Sequence, residues 1–189
     1  MLDDAIRALM ALGLEKGYIG KRALGEPAFL KTQFHGWLLK TFKIFLKIPG
    51  LTEYSSEYTD TYLFGDQSGG GFELVGLDDN GKRRTFMRLY AGAGLDKESL
   101  AKLGITAEDV VDFLKRVLLE AGDKTRLDQS YLAHEGNWQY SYQVMEDMDF
   151  DSETFGLPLL CSSERIFFLA PDASWHRVLK HNFIFVEVK

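Results

Sequence analysis

Asp60 stands between Tyr58 and Tyr62 at two-residue steps, and Trp138, Tyr140 and Tyr142 repeat that spacing later in the chain. On a strand such spacing puts each set on one face. Aromatic rings beside a carboxylate are the ingredients of a pocket for a cationic or amphipathic ligand. Tyr58, Asp60, Tyr62, Trp138 and Tyr140 are therefore the candidate ligand-binding residues. The same aromatics would also serve as plain β core and cross-strand pairs.

Asp147, Asp149 and Asp151 sit in an acidic run from Glu146 to Glu153 and match the first, third and fifth positions of a calcium loop. Ser152 occupies the position that needs glycine, and Pro158 the position of the bidentate glutamate, so the EF-hand reading fails. Three aspartates on one strand face could still hold a hard cation, or form a solvated face or a guarded edge. Cys161 could act as a nucleophile only with a base supplied by the fold, from His134, His176 or His181. Its bland role is a buried core thiol. His176 and His181, five apart across an expected loop, have no companion cysteines for zinc. The glycine-rich Gly65–Gly71 segment lacks the Gly-Lys-Ser/Thr of a phosphate loop, and Tyr90-Ala-Gly92-Ala-Gly94 has Lys97 where a dinucleotide fingerprint needs its third glycine. No cofactor is expected, and no enzyme signature is present.

Composition narrows the classes further. The 189 residues carry 22 Lys+Arg and 28 Asp+Glu, with 46% hydrophobic content and 13% aromatic. That excludes a disordered chain and can fill a core. An acidic balance disfavours nucleic acid. No uncharged apolar run is long enough to span a membrane, and a start of Met1-Leu2-Asp3-Asp4 with a single cysteine points to the cytoplasm. Charge is unevenly spread. Residues 27 to 52 carry four lysines and no acid, whereas residues 123 to 154 carry eight acids against Lys124 and Arg126. Such asymmetry suits either a protein-partner module, of the immunity or regulatory kind, or two segments that face each other in the fold.

The elements that must position these groups read as α+β, with mainly antiparallel β blocks around a helix and a shared plan that suggests internal duplication. Residues 1–50 read as an N-terminal helical segment leading into a strand. Leu2, Ile6, Leu9 and Met10 mark a first helix, glycines make a loop of 13–26, and Leu30, Phe34, Trp37 and Leu38 mark a second helix after Pro27. From Thr41 the pattern alternates as a strand up to Pro49-Gly50. Residues 51–189 form the main domain, with β blocks at 51–95 and 130–189 and a helix at 106–121. In the first block, Tyr58–Phe64 and Phe72–Leu77 read as strands, and Asp78-Asp79-Asn80-Gly81 as the turn leading into Arg84–Tyr90. Thr106 and Asp109 form a capping box, and Gly122 closes the helix whose stripe is Val110, Val111, Leu114, Val117 and Leu118. Trp138–Met145 reads as a strand, with a short helix over 137–150 as its rival. Arg165–Leu169 and Phe183–Val188 complete the second block around a Pro171-Asp172 turn.

The set Tyr58-Thr-Asp60-Thr-Tyr62, Gly65, Phe72-Glu73-Leu-Val75, Gly81 and Met87-x-x-Tyr90-x-Gly92 resembles a bacterial domain family of unknown function. That family pairs an aromatic D-x-Y strand with a hairpin ending in Y-x-G, and some members are fused to helix-turn-helix regulators. Glu135-Gly136-Asn-Trp138-Gln-Tyr140 and Glu164-Arg165-Ile166 would fit its second half, for coverage of roughly residues 53 to 170. This chain has Phe86 where the family has Trp, and its first 50 residues fall outside the family. The resemblance implies a fold and brings no activity.

Overall fold

In a computed structural model of the chain, the described residues are 4–16, 30–34, 37–46, 56–65, 67–79, 82–122, 126–145 and 160–188. Helix α1 spans Asp4–Lys16. Ile6, Leu9, Met10 and Leu14 follow one another at steps of three, one and four residues along it and are buried. The helix continues through Gly13, where the sequence suggested a loop. A Cβ there would stand 2.3 Å from the Tyr58 ring. Close packing on that ring offsets the roughly 1 kcal/mol by which glycine weakens a helix.

Among the described residues nine strands follow in one antiparallel sheet: β1 Leu30–Phe34, β2 Trp37–Leu46, β3 Ser56–Phe64, β4 Ser68–Asp79, β5 Lys82–Gly94, β6 Tyr131–Glu135, β7 Trp138–Met145, β8 Leu160–Leu169 and β9 Trp175–Val188. The order across the sheet is β1-β2-β3-β4-β5-β9-β8-β7-β6. Two meanders therefore meet where β5 pairs with β9. Between them in sequence lie α2 (Lys97–Lys102) and α3 (Ala107–Ala121). The fold is thus α+β and mostly antiparallel sheet.

Besides the loop at Gly13, other expectations need correction. The helix expected after Pro27 is β1 and the start of β2, which pair from Leu30↔Thr41 to Phe34↔Trp37. The apolar spacing there fits a helical period by coincidence, and sheet pairing decides. His176 and His181 lie on β9, not on a loop. The glycine stretch 65–71 is only partly a connection, since Ser68 to Gly71 already pair with β5. At 137–150 the strand reading holds through Met145, and no helix occurs there among the described residues. Asp79 pairs with Lys82, as the expected turn requires. The capping box of α3 forms as read: the Asp109 carboxylate accepts from the Thr106 amide at 2.7 Å, and Thr106 accepts from the Asp109 amide. Among the described residues no helix is long and apolar enough to cross a membrane.

Strand alternation gives one face of the sheet to the helices. Ile6, Leu9 and Met10 of α1 pack with Tyr58, Val75, Leu77, Phe86 and Phe185. Val110, Phe113, Leu114, Val117 and Leu118 of α3 pack with Tyr140, Tyr142, Ile166, Phe168, Val178 and Phe183. Between these two apolar clusters, on the same face, runs a layer of charge.

Candidate functional site in a charged layer beneath a cleft

One register row crosses β3, β4 and β5 as Asp60, Glu73 and Arg88. A second crosses β7, β8 and β9 as Tyr142, Glu164 and His181. Each glutamate faces the helices because it shares parity with buried apolar neighbours, Val75 beside Glu73 and Ile166 beside Glu164. A bare carboxylate there would be very costly, so each is saturated by donors. Tyr58 donates to Glu73 Oε1 at 2.6 Å, and Arg88 Nε bonds Glu73 Oε2. Tyr140 donates to Glu164 Oε1 at 2.8 Å, Arg126 donates through Nε and Nη2 at 2.8 Å each, and His181 Nδ1 lies 2.7 Å from Oε2. Burial alone would raise the Glu164 pKa, but Arg126 and His181 hold it well below the usual range.

Arg126 links the two rows. Its guanidinium grips Glu164, and its backbone carbonyl accepts from Arg88 Nη1. Its φ of 60° is a left-handed conformation that a residue with a Cβ seldom adopts. The Arg88 and Arg126 guanidinium carbons both lie 5.4 Å from the centre of the Phe183 ring. Arg88 is pushed above its ordinary value: burial works against its charge, and Glu73 beside it more than offsets that.

Asp60 differs from the two glutamates. It is 3% exposed, and Tyr90 donates to its Oδ1 at 2.9 Å. Burial first, then the neighbouring Glu73 charge, raise its pKa to about 8, against the opposing pull of the Tyr90 hydrogen bond, Arg88 and Arg126. The protonated form of Asp60 is thereby favoured. Burial, with Asp60 and Glu73 close by, also drives the Tyr90 phenol upward.

These groups form the floor of a cleft of about 530 Å³ between α3 and strands β3, β4, β5 and β9. That volume suits a small organic ligand. Asp60, Glu73, Tyr90, Arg126 and His181 make its polar end, and Leu100, Val110, Leu114, Val178 and Leu179 its apolar wall. Two glycines shape the floor. A Cβ on Gly71 would stand 2.8 Å from the Tyr90 hydroxyl, and one on Gly92 1.8 Å from His181 Cδ2.

The five candidate ligand residues are not all in one place. Asp60 and Tyr62 line the cleft. Tyr58 and Tyr140 lie beneath the layer, fully buried, with their hydroxyls on the two glutamates. Trp138 packs on Phe113 and Phe168, with ring centres 5.1 and 4.8 Å away. Asp147, Asp149 and Asp151 lie outside the described residues, among which no cluster of three metal-ligating side chains occurs. Cys161 is buried and sits on the face of β8 opposite Glu164, away from His181, with burial raising its thiol pKa. Sequence reading did not single out Glu73, Arg88, Arg126 or Glu164, and considered His181 only as a base for Cys161 or a zinc ligand. For Glu73 and Arg88 a signal existed: each is a charge in the inward parity of an apolar strand, with Val75 and Leu77, or Phe86 and Tyr90.

No family model matches the chain, and no curated protein or solved structure is detectably similar to it. The geometry of the cleft must therefore carry the functional argument.

Proposed function

We propose that this is a cytoplasmic ligand-binding domain whose cleft takes a small amphipathic molecule with a cationic end. The observation that carries this reading is Asp60, which lies at the floor of a cleft whose wall along α2, α3 and β9 is mainly apolar, with Lys115 and His181 also lining it. An ammonium group there would exchange the Asp60 proton for an ion pair, and an alkyl portion would cover Leu100, Val110 and Leu114. Isothermal titration with n-hexylamine and 1-hexanol, at pH 6 and pH 9, tests it. Hexylamine affinity should rise roughly tenfold per pH unit up to about 8, because binding then need not displace a proton. Hexanol should show no such trend, and Asp60→Asn should abolish it. Equal, pH-independent affinity for both probes would sink the assignment.

We also read the two meanders as copies of one unit. Supporting this, Tyr58 with Glu73 and Tyr140 with Glu164 share register and hydrogen bond, and Arg88 and His181 occupy equivalent partner positions. The two units would be related about the Tyr90↔Phe183 pair. If β3–β5 and β7–β9 failed to superpose in that register, the duplication would be discarded.

A further inference from the structure

We propose that the cleft is also a hydrolytic centre, in which His181, oriented by Glu164, draws a proton from water for attack on a small carboxylic ester. This rests on the reading of the cleft as a ligand site. Glu164 is ionised and can only accept, and it already takes hydrogens from Tyr140 and twice from Arg126. The 2.7 Å contact to His181 therefore requires the hydrogen on Nδ1, which leaves Nε2 unused by Glu164. This is the arrangement by which a buried carboxylate fixes the tautomer and direction of a general base.

The ring is held on several sides. It sits over Gly92, where a Cβ would collide with Cδ2, and meets Phe183 edge-on with centres 6.1 Å apart. The His181 side chain is 23% exposed and Glu164 0%, and His181 lines the cleft. Neutralising Glu164 needs no third donor beyond Arg126 and Tyr140, so counterion duty alone does not account for the imidazole. Among the described residues His181 bonds Glu164 and no serine, threonine or cysteine side chain, and Cys161 lies on the opposite face of β8.

The step balances as follows. Water gives a proton to Nε2, its oxygen bonds the acyl carbon, and the carbonyl π pair moves onto oxygen. That pair then re-forms the carbonyl, the ester C–O bond breaks, and the departing alkoxide takes the proton back from Nε2. Asp60, positioned by Tyr90 in the same cleft, can donate a hydrogen bond to the substrate's polar end. An acyl chain suits the apolar part of the wall, formed by Leu100, Val110, Leu114, Val178 and Leu179.

The test is hydrolysis of p-nitrophenyl butyrate by wild type, His181→Gln and His181→Ala, with folding checked by circular dichroism and hexylamine binding measured in parallel. Folded His181 variants should lose about 100-fold or more in kcat/KM. Added imidazole should partly restore His181→Ala, which a merely structural histidine would not permit. The proposal is overturned if wild type is no faster than an equal concentration of free imidazole, or if folded His181→Ala keeps its kcat/KM. Hexylamine binding without turnover would remove the hydrolytic step and leave the binding reading intact. Loss of both would remove both.

Discussion

The two halves of the sheet solve one problem with different cations. In the half made by β3, β4 and β5, Glu73 is met by Tyr58 from one neighbouring strand and Arg88 from the other. In the half made by β7, β8 and β9, Glu164 is met by Tyr140 in the same register, but His181 stands where Arg88 would be expected. An imidazole cannot guarantee a charge, and Arg126 reaches in from the segment after α3 to supply one. The first half therefore meets its glutamate with a guanidinium from the adjacent strand. The second has divided the work, with one side chain for charge and another left at the edge of a cleft. A buried ion pair need not add stability over apolar packing, so its retention in a titratable form suggests use beyond architecture.

Removing each carboxylate in turn tests this division most severely. Glu164→Gln should cost about 3–5 kcal/mol in urea unfolding, since it removes the carboxylate that takes two hydrogens from the buried Arg126 guanidinium. Glu73→Gln should cost less, because Arg88 keeps the carbonyl of Arg126. Equal losses would mean that Glu164 is not the centre of the layer.

Asp60→Asn sharpens the contrast through pH. Between about pH 4 and 8 the folded chain holds a proton on Asp60 that the unfolded chain has released. Stability from this group is thus complete below about 4 and lost as pH rises towards 8, by up to roughly 1.4 kcal/mol per pH unit. Relative to wild type the Asn variant should gain stability across that window, and match the wild-type trend below it. Parallel stability–pH curves above pH 5 would contradict the raised pKa.

The smallest effect concerns the feature the halves share. Tyr58→Phe and Tyr140→Phe each remove one hydroxyl from an ionised carboxylate, and each should cost about 1–3 kcal/mol by thermal unfolding. A large loss in one and none in the other would break the equivalence of the two registers.

Much of the scaffold was legible because short-range physics dictates it. Asn80-Gly81 between alternating runs predicts a hairpin, and Thr106 with Asp109 predicts where α3 begins. The segment 30–38 misled because Leu30, Phe34, Trp37 and Leu38 satisfy a helical period, while the partner strand that overrides it lies further along the chain. The site was legible in part. Asp60 and Tyr62 were found from their spacing, but the same pattern also drew in Trp138, which fills the core beneath α3. Arg126, Glu164 and His181 come from three separate segments, and nothing local in the sequence says that they meet.

The strand order has a consequence for how the chain is made. β9 is the last of the described strands to leave the ribosome, yet it lies inside the sheet, with β5 on one side and β8 on the other. Until it arrives, β5 and β8 each present an open row of amide and carbonyl groups, and Phe183 is not yet there to receive Arg88 and Arg126. The two meanders can form early as separate hairpin stacks, but their union waits on a closing strand that must insert between them. During synthesis those two edges are the places where the nascent protein is most open to pairing with another chain.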